Sequence, residues 1–115
     1  MANPVVWFEV LGKDGASLRS FYGDLFEWEF NVMEEMNYGM VEAEKGQGIP
    51  GGVGQQEGGH ATFYVSTPSI EDSLKKAAKL GGSTLVPRTE LPGGTIFAMF
   101  SDPEGNPVGL LEETA

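Results

Sequence analysis

The chain has no cysteine among its 115 residues, which excludes disulfides, thiolate metal sites and cysteine nucleophiles together. Histidine is nearly as scarce: His60 is the only one, so a metal centre built on several imidazoles is excluded too. Basic residues number 7 against 17 acidic ones, for a formal net charge of −10. Nucleic-acid backbones and anionic membrane surfaces both select clustered positive charge, so neither is expected as a partner. No apolar run approaches the roughly 20 residues of a membrane-spanning helix. The opening MANPVV lacks the basic start and apolar stretch of a secretory signal. A cytoplasmic location is the resulting expectation. Gly51-Gly52 and Gly58-Gly59 do not lead into helical patterns, so no dinucleotide fingerprint is present, and neither a nucleophile elbow nor a Ser/His/Asp arrangement is visible.

What is present is turn-rich and periodic. Seventeen glycines and seven prolines punctuate short segments whose apolar residues alternate at one of two periods. Val5–Val10 (VVWFEV) reads as a strand with Val6, Phe8 and Val10 on one face and Val5, Trp7 and Glu9 on the other. Asp14 reads as a helix N-cap. Leu18, Phe21, Tyr22 and Leu25 then form a helical stripe that ends near Phe26. Strands are expected at Glu29–Met33, Tyr38–Ala43 and Ile49–Gly54. A second round starts with the strand ATFYVS from Ala61, followed by Thr67-Pro68 as a helix start. Ile70, Leu74, Ala77 and Ala78 supply the second helical stripe, and Gly81 its stop. Strands at Ser83–Val86, Thr95–Phe100 and Val108–Leu111 follow, the last entered through the turn Asp102-Pro103-Glu104-Gly105.

The order strand, helix, strand, strand, strand thus occurs twice. At one constant offset Phe8 falls on Phe63, Val10 on Val65 and Asp14 on Ser69, the pattern of a duplicated unit. The expected architecture is α+β, a single domain over 1–115 built from two βαβββ modules, 4–57 and 60–113.

The paired βαβββ order, the segment FYGDLFEWEF after the first strand, the helix end Leu80-Gly81-Gly82 and the DPEGNPVGLLE stretch near the end together resemble the vicinal oxygen chelate superfamily. That group holds glyoxalase I, extradiol dioxygenases and bleomycin-resistance proteins, and the resemblance runs from about Pro4 to Glu113. It implies a curved mixed sheet whose concave face is a ligand cup, with helices on the convex face, and a homodimer. The cup would then be faced by Trp7, Glu9, Thr62, Tyr64 and Ser66. Metal-using members hold a divalent ion with His and Glu side chains from the first and last strands of each module. Carried onto this chain, those positions fall on Trp7, Thr62, Gly109 and the Pro50–Gly54 stretch. Indole nitrogen has no free lone pair, glycine has no side chain and a hydroxyl is a weak neutral ligand. No metal and no other cofactor is expected.

The residues of interest are then those of an apolar, aromatic pocket with a few polar handles. Trp7 offers a stacking surface, and Tyr64 with Phe97 and Met99 extends the lining. Glu9 reads as a ligand-binding charge, as a general base, as a solvated carboxylate at the strand's exposed end, or as one paired with Lys13 or Arg19. Arg88, beside the loop running to Gly94, reads as a contact for an anionic group or as a solvated arginine, and that loop as a lid. His60 reads as an exposed residue at a loop-to-strand junction. The function expected is binding of a small organic molecule in a metal-free cup. The alternative is a lyase, isomerase or dioxygenase of the same superfamily, with a displaced metal or Glu9 as base.

Overall fold

The computed structural model describes residues 2–113; residues 1, 114 and 115 of the expected 1–115 domain lie outside them. The chain divides into two compact units, Trp7–Thr62 and the chain from Phe63 onward together with the segment up to Val6. Each has one main helix on a mixed four-stranded arrangement, so the α+β class and the doubled βαβββ order both hold.

In the Trp7–Thr62 unit, β1 (Val5–Gly12) leads into α1 (Gly15–Phe26), followed by β2 (Asn31–Met33), a single 3-10 turn at Glu34–Met36, β3 (Tyr38–Val41) and β4 (Gly51–Gln55). The strands are ordered β2-β3-β4-β1, with β1 parallel to β4 and the other pairs antiparallel. Asp14 caps α1 as expected, accepting from the Ser17 amide at 3.0 Å. Only half of the stripe Leu18, Phe21, Tyr22 and Leu25 is covered: Leu18 and Tyr22 are half-buried, but Phe21 is 58% exposed and Leu25 57%. The helix is turned so that Gly15, Arg19, Tyr22 and Gly23 face inward. The cause is Arg19, whose guanidinium donates to the Val53 and Asn37 carbonyls, both at 3.2 Å, and to Asn37 Oδ1 at 2.8 Å. Three hydrogen bonds from one cation, one to Val53 on β4 and two to Asn37 just ahead of β3, outweigh the apolar pattern in fixing the helix rotation. Tyr22 stacks on Trp28 at 5.7 Å and Phe8 packs on Trp28 at 5.3 Å, beside the buried Val41 and Val53.

In the other unit, β5 (Ala61–Thr67) leads into α2 (Ile70–Lys79), then β6 (Ser83–Glu90), β7 (Ile96–Ser101) and β8 (Pro107–Glu112). The order is β5-β8-β7-β6, with β5 parallel to β8. Its core is Ile70, Ala98 and Leu110, flanked by Val65, Leu74, Ile96 and Phe100. The helix start differs from the Thr67-Pro68 expectation. Ser69 is the N-cap, its Oγ accepting from the Asp72 amide at 3.2 Å, while the buried Thr67 hydroxyl bonds to Ser69 backbone atoms and to Ser73 Oγ. Thr67 makes a local hydroxyl turn ahead of the helix rather than capping it. Both helices therefore start on the residues that the internal repeat aligns, Asp14 and Ser69. Acidic Glu71 and Asp72 in the first turn of α2 and Lys76 and Lys79 in its last complement the helix dipole. Ala78, expected on the inner stripe, is exposed.

The β5 faces hold a further surprise. Ala61 and Phe63, on the face opposite the expected cup residues, are exposed, Phe63 by 42%, whereas Tyr64 is only 6% exposed and Thr62 9%.

Candidate functional site

On β1 the period of two puts Trp7 and Glu9 on the face opposite Phe8 and Val10. Register carries that face across the unit: Glu9 pairs with Gly52, Leu11 with Gly54, and Gly54 in turn with Tyr38. Three half-buried side chains meet there in one hydrogen-bonded line. Trp7 Nε1–H donates to Tyr38 Oη at 3.1 Å, and the Tyr38 hydroxyl donates to Glu9 Oε2 at 2.9 Å. Indole is only a donor and an ionised carboxylate only an acceptor, so the direction of the phenol proton, toward Glu9, is fixed by chemistry. Successive donors of this kind polarise one another.

Glycine makes the arrangement possible. A Cβ on Gly52 would collide with the Tyr38 hydroxyl and ring, and one on Gly54 would approach Tyr38 Cδ1 to 2.5 Å. The bare backbone of β4 is the floor on which the Tyr38 ring lies. Tyr38 is the site residue that sequence reading did not single out. Its signal was there in YGMV facing GGVG, a large residue set opposite positions without side chains.

Glu9 is held by Tyr38, while Arg19 is on the helix side with Asn37 and Val53. His60 is half-buried rather than an exposed loop residue, and its Nε2 is buried with no hydrogen-bond partner.

In the other unit, Tyr64 pairs with Gly109 and Gly109 with Met99, while Leu111 pairs with Phe97. Tyr64, Phe97 and Met99 therefore share a face, as expected. A Cβ on Gly109 would strike Cδ2, Cε2 and Cγ of Tyr64, so here too a tyrosine ring lies across a glycine. Thr62 is a buried hydroxyl at the end of the first unit. Arg88 is not in a loop: it lies within β6 and bonds both Glu112 oxygens, with Nη2 at 2.8 Å from Oε2 and Nε at 3.2 Å from Oε1. Glu112 Oε1 also accepts from the Ile70 amide at 3.0 Å, so the pair ties β6 and β8 to the start of α2. The Arg88 guanidinium first, and the Ile70 N–H next, hold the Glu112 carboxyl below its ordinary range. The hairpin beyond it is a tight turn closed by Leu91 N to Thr95 O at 2.7 Å.

The sequence matches the family profile described as the Glyoxalase/Bleomycin resistance protein/Dioxygenase superfamily over residues 5–110. The chain belongs to that superfamily. No curated protein matches it. Among solved structures, a Legionella pneumophila protein described as NAD-dependent benzaldehyde dehydrogenase is similar at 14% identity and a TM-score of 0.69, covering 94% of this chain and 98% of that one. A superfamily member from Vibrio splendidus is similar at 14% identity and 0.68, covering 97% and 100%. A variant of Streptomyces coelicolor methylmalonyl-CoA epimerase in complex with 2-nitronate-propionyl-CoA is similar at 13% identity and 0.64, covering 100% of both chains. At these identities the likeness is one of fold.

The residues at the superfamily's metal-binding positions do not fit a divalent ion. Trp7 has its only polar atom directed at Tyr38. Gly109 is covered by the Tyr64 ring, and Gly52, in the Pro50–Gly54 stretch, by the Tyr38 hydroxyl. Among the described residues no three His, Asp or Glu side chains are grouped to hold a metal, and the buried His60 nitrogen is a single ligand. A tight site needs three or four donors.

Proposed function

We propose that the chain binds a small organic molecule, without a metal, on the Trp7–Tyr38–Glu9 face of the Trp7–Thr62 unit. The observation that carries this reading is the directed line from indole through phenol to carboxylate. It presents two aromatic surfaces and one charge in a fixed arrangement, which is the composition of a small-molecule site. The unit's charge bears on the ligand's sign. Ten of the seventeen carboxylates lie in Trp7–Thr62, with only Lys13, Arg19 and Lys45 against them, and Arg19 is engaged with Asn37 and Val53. Neutral and cationic aromatic compounds suit such a face better than anions.

The test is a fluorescence titration of a Trp28→Phe protein, in which Trp7 is the only indole, with a panel of neutral and cationic aromatics. A binding compound quenches Trp7 emission. Tyr38→Phe, which breaks both links of the line, weakens it about five- to tenfold, the value of one hydrogen bond at roughly 1–1.4 kcal/mol. Binding that leaves Trp7 emission unchanged, or that Tyr38→Phe and Glu9→Gln do not weaken, overturns the assignment.

A second reading, that of an isomerase, lyase or dioxygenase with Glu9 as base, is supported by the fixed placement of that carboxylate beside an aromatic surface. Metal-independent turnover that Glu9→Gln abolishes while leaving compound binding within about twofold would favour it.

A further inference from the structure

The unit beginning at Phe63 contains a cleft of about 350 Å3 on the α2 side of its sheet, away from the face that carries Tyr64. Its floor is Val65, Phe100 and Leu110, and its wall is Ala77 and Leu80 of α2. Polar groups lie at both ends. Ser73, Lys76, Ala77 and Leu80 lie along one helix face at i, i+3, i+4 and i+7, so Ser73 marks the end nearer the start of α2 and Lys76 follows one turn on. There Ser73 Oγ is 2.7 Å from Thr67 Oγ1, with either able to donate. Lys76 is exposed and forms no ion pair among the described residues. Lys75 and Lys79 lie on the same helix, so three of the chain's seven basic residues are gathered on α2. The opposite end holds Asp102, both of whose carboxylate oxygens are engaged, by the Glu104 and Asn106 amides and by Asn106 Nδ2.

We propose that this cleft is a second binding site, one for a small carboxylic acid with an apolar tail. The orientation follows from charge. The carboxylate sits by Lys76, with the Ser73 hydroxyl as a second donor when Thr67 turns its own proton toward Ser73, and the tail lies on Val65, Phe100 and Leu110 toward Leu80. The reverse orientation would set the carboxylate against Asp102. A cleft of this volume is within the range of small-ligand sites, and on α2 the three lysines outnumber Glu71 and Asp72, which lessens the repulsion of an anion there.

Straight-chain carboxylates from butanoate to decanoate, titrated into the full chain with amide chemical shifts as the readout, test the proposal. Affinity is expected to rise about fourfold per added methylene until the cleft is filled, with shifts concentrated at Val65, Ala77 and Leu110. Alkylammonium ions of equal length are expected to bind about tenfold more weakly, and Lys76→Gln to weaken the carboxylates about fivefold. Lys76 is exposed, so this variant folds; Ala77→Phe, which fills the cleft, is expected to abolish the shifts. Affinity independent of chain length, ammonium ions binding as well as carboxylates, no loss in Lys76→Gln, or shifts centred on Trp7, Glu9 and Tyr38 would each overturn it.

Discussion

Gly109→Ala is the sharpest perturbation of the reasoning about tyrosine and glycine. An added methyl at Gly109 would meet three atoms of the Tyr64 ring, the farthest of them, Cγ, at 2.6 Å, whereas carbon atoms rest about 3.5–4.0 Å apart. Tyr64 is 6% exposed, so its ring has no open space to swing into without disturbing its neighbours. Overpacking of this kind costs about 1–3 kcal/mol. Against it stands the reduced freedom of the unfolded chain on replacing glycine, about 0.4–1 kcal/mol in the stabilising direction. Gly109 has no positive φ, so no backbone strain is added. The net expectation is a loss of about 1–2 kcal/mol, which for a chain of this length lowers Tm by about 4–8 °C. The decisive assay is a double-mutant cycle by calorimetry or urea unfolding. Tyr64→Ala removes the ring, and in that background Gly109→Ala should be neutral or slightly stabilising, leaving a coupling near 2 kcal/mol. An unchanged Tm in the single variant, or the same cost with and without the ring, refutes the packing argument.

Two further outcomes follow from the capping and the ion pair. Ser69→Ala is expected to cost about 1 kcal/mol, some 4 °C in Tm, and to speed hydrogen exchange at the Asp72 amide specifically; unaltered protection there would return the cap to Thr67. Glu112 has its carboxyl held below the ordinary range in the folded chain, chiefly by Arg88. Its contribution is therefore complete above the unfolded carboxylate value and disappears as pH falls through the lower folded value. Urea midpoints followed from about pH 7 to pH 2 should fall less steeply for Glu112→Gln than for the natural chain, with Arg88→Met intermediate because the Ile70 amide still binds the carboxylate; identical slopes would show that the pair is not coupled to folding.

Much of this fold was legible because both periods are strongly written. VVWFEV and ATFYVS alternate, Asp14 precedes a helical run, and the repeat placed Ser69 opposite Asp14, where the structure does put both caps. Where the reading failed, a polar group overrode the apolar pattern. Arg19 turned α1 away from the Phe21–Leu25 stripe through bonds to carbonyls that no local pattern reveals. Arg88 was misplaced because the strand was expected to end at Val86, whereas β6 carries Pro87 and Arg88 on to Glu90 through irregular pairing with β7. The site was half legible. Period two gave Trp7 and Glu9 a common face, but the tyrosine joining them comes from a strand 29 positions beyond Glu9, and only register could bring it there. Glycines, read as turn formers or as vacant ligand positions, proved to be seats for rings.

That double use of glycine connects the missing metal ligands with the candidate site. In each unit a position without a side chain lets a neighbouring tyrosine lie flat on the backbone: Tyr38 on Gly52, and Tyr64 on Gly109. Once the ring is seated, restoring a carboxylate at the glycine does not restore a metal ligand, because the new Cβ and the ring compete for one space. Gly109→Glu alone therefore expels the ring before it places an oxygen, and the two changes must occur together, with the ring replaced by something small. The same logic keeps the Trp7–Tyr38–Glu9 line intact. Any side chain at Gly52 would push the Tyr38 hydroxyl out of reach of both its partners, so the aromatic face and a ligand-bearing β4 are mutually exclusive uses of the same strand.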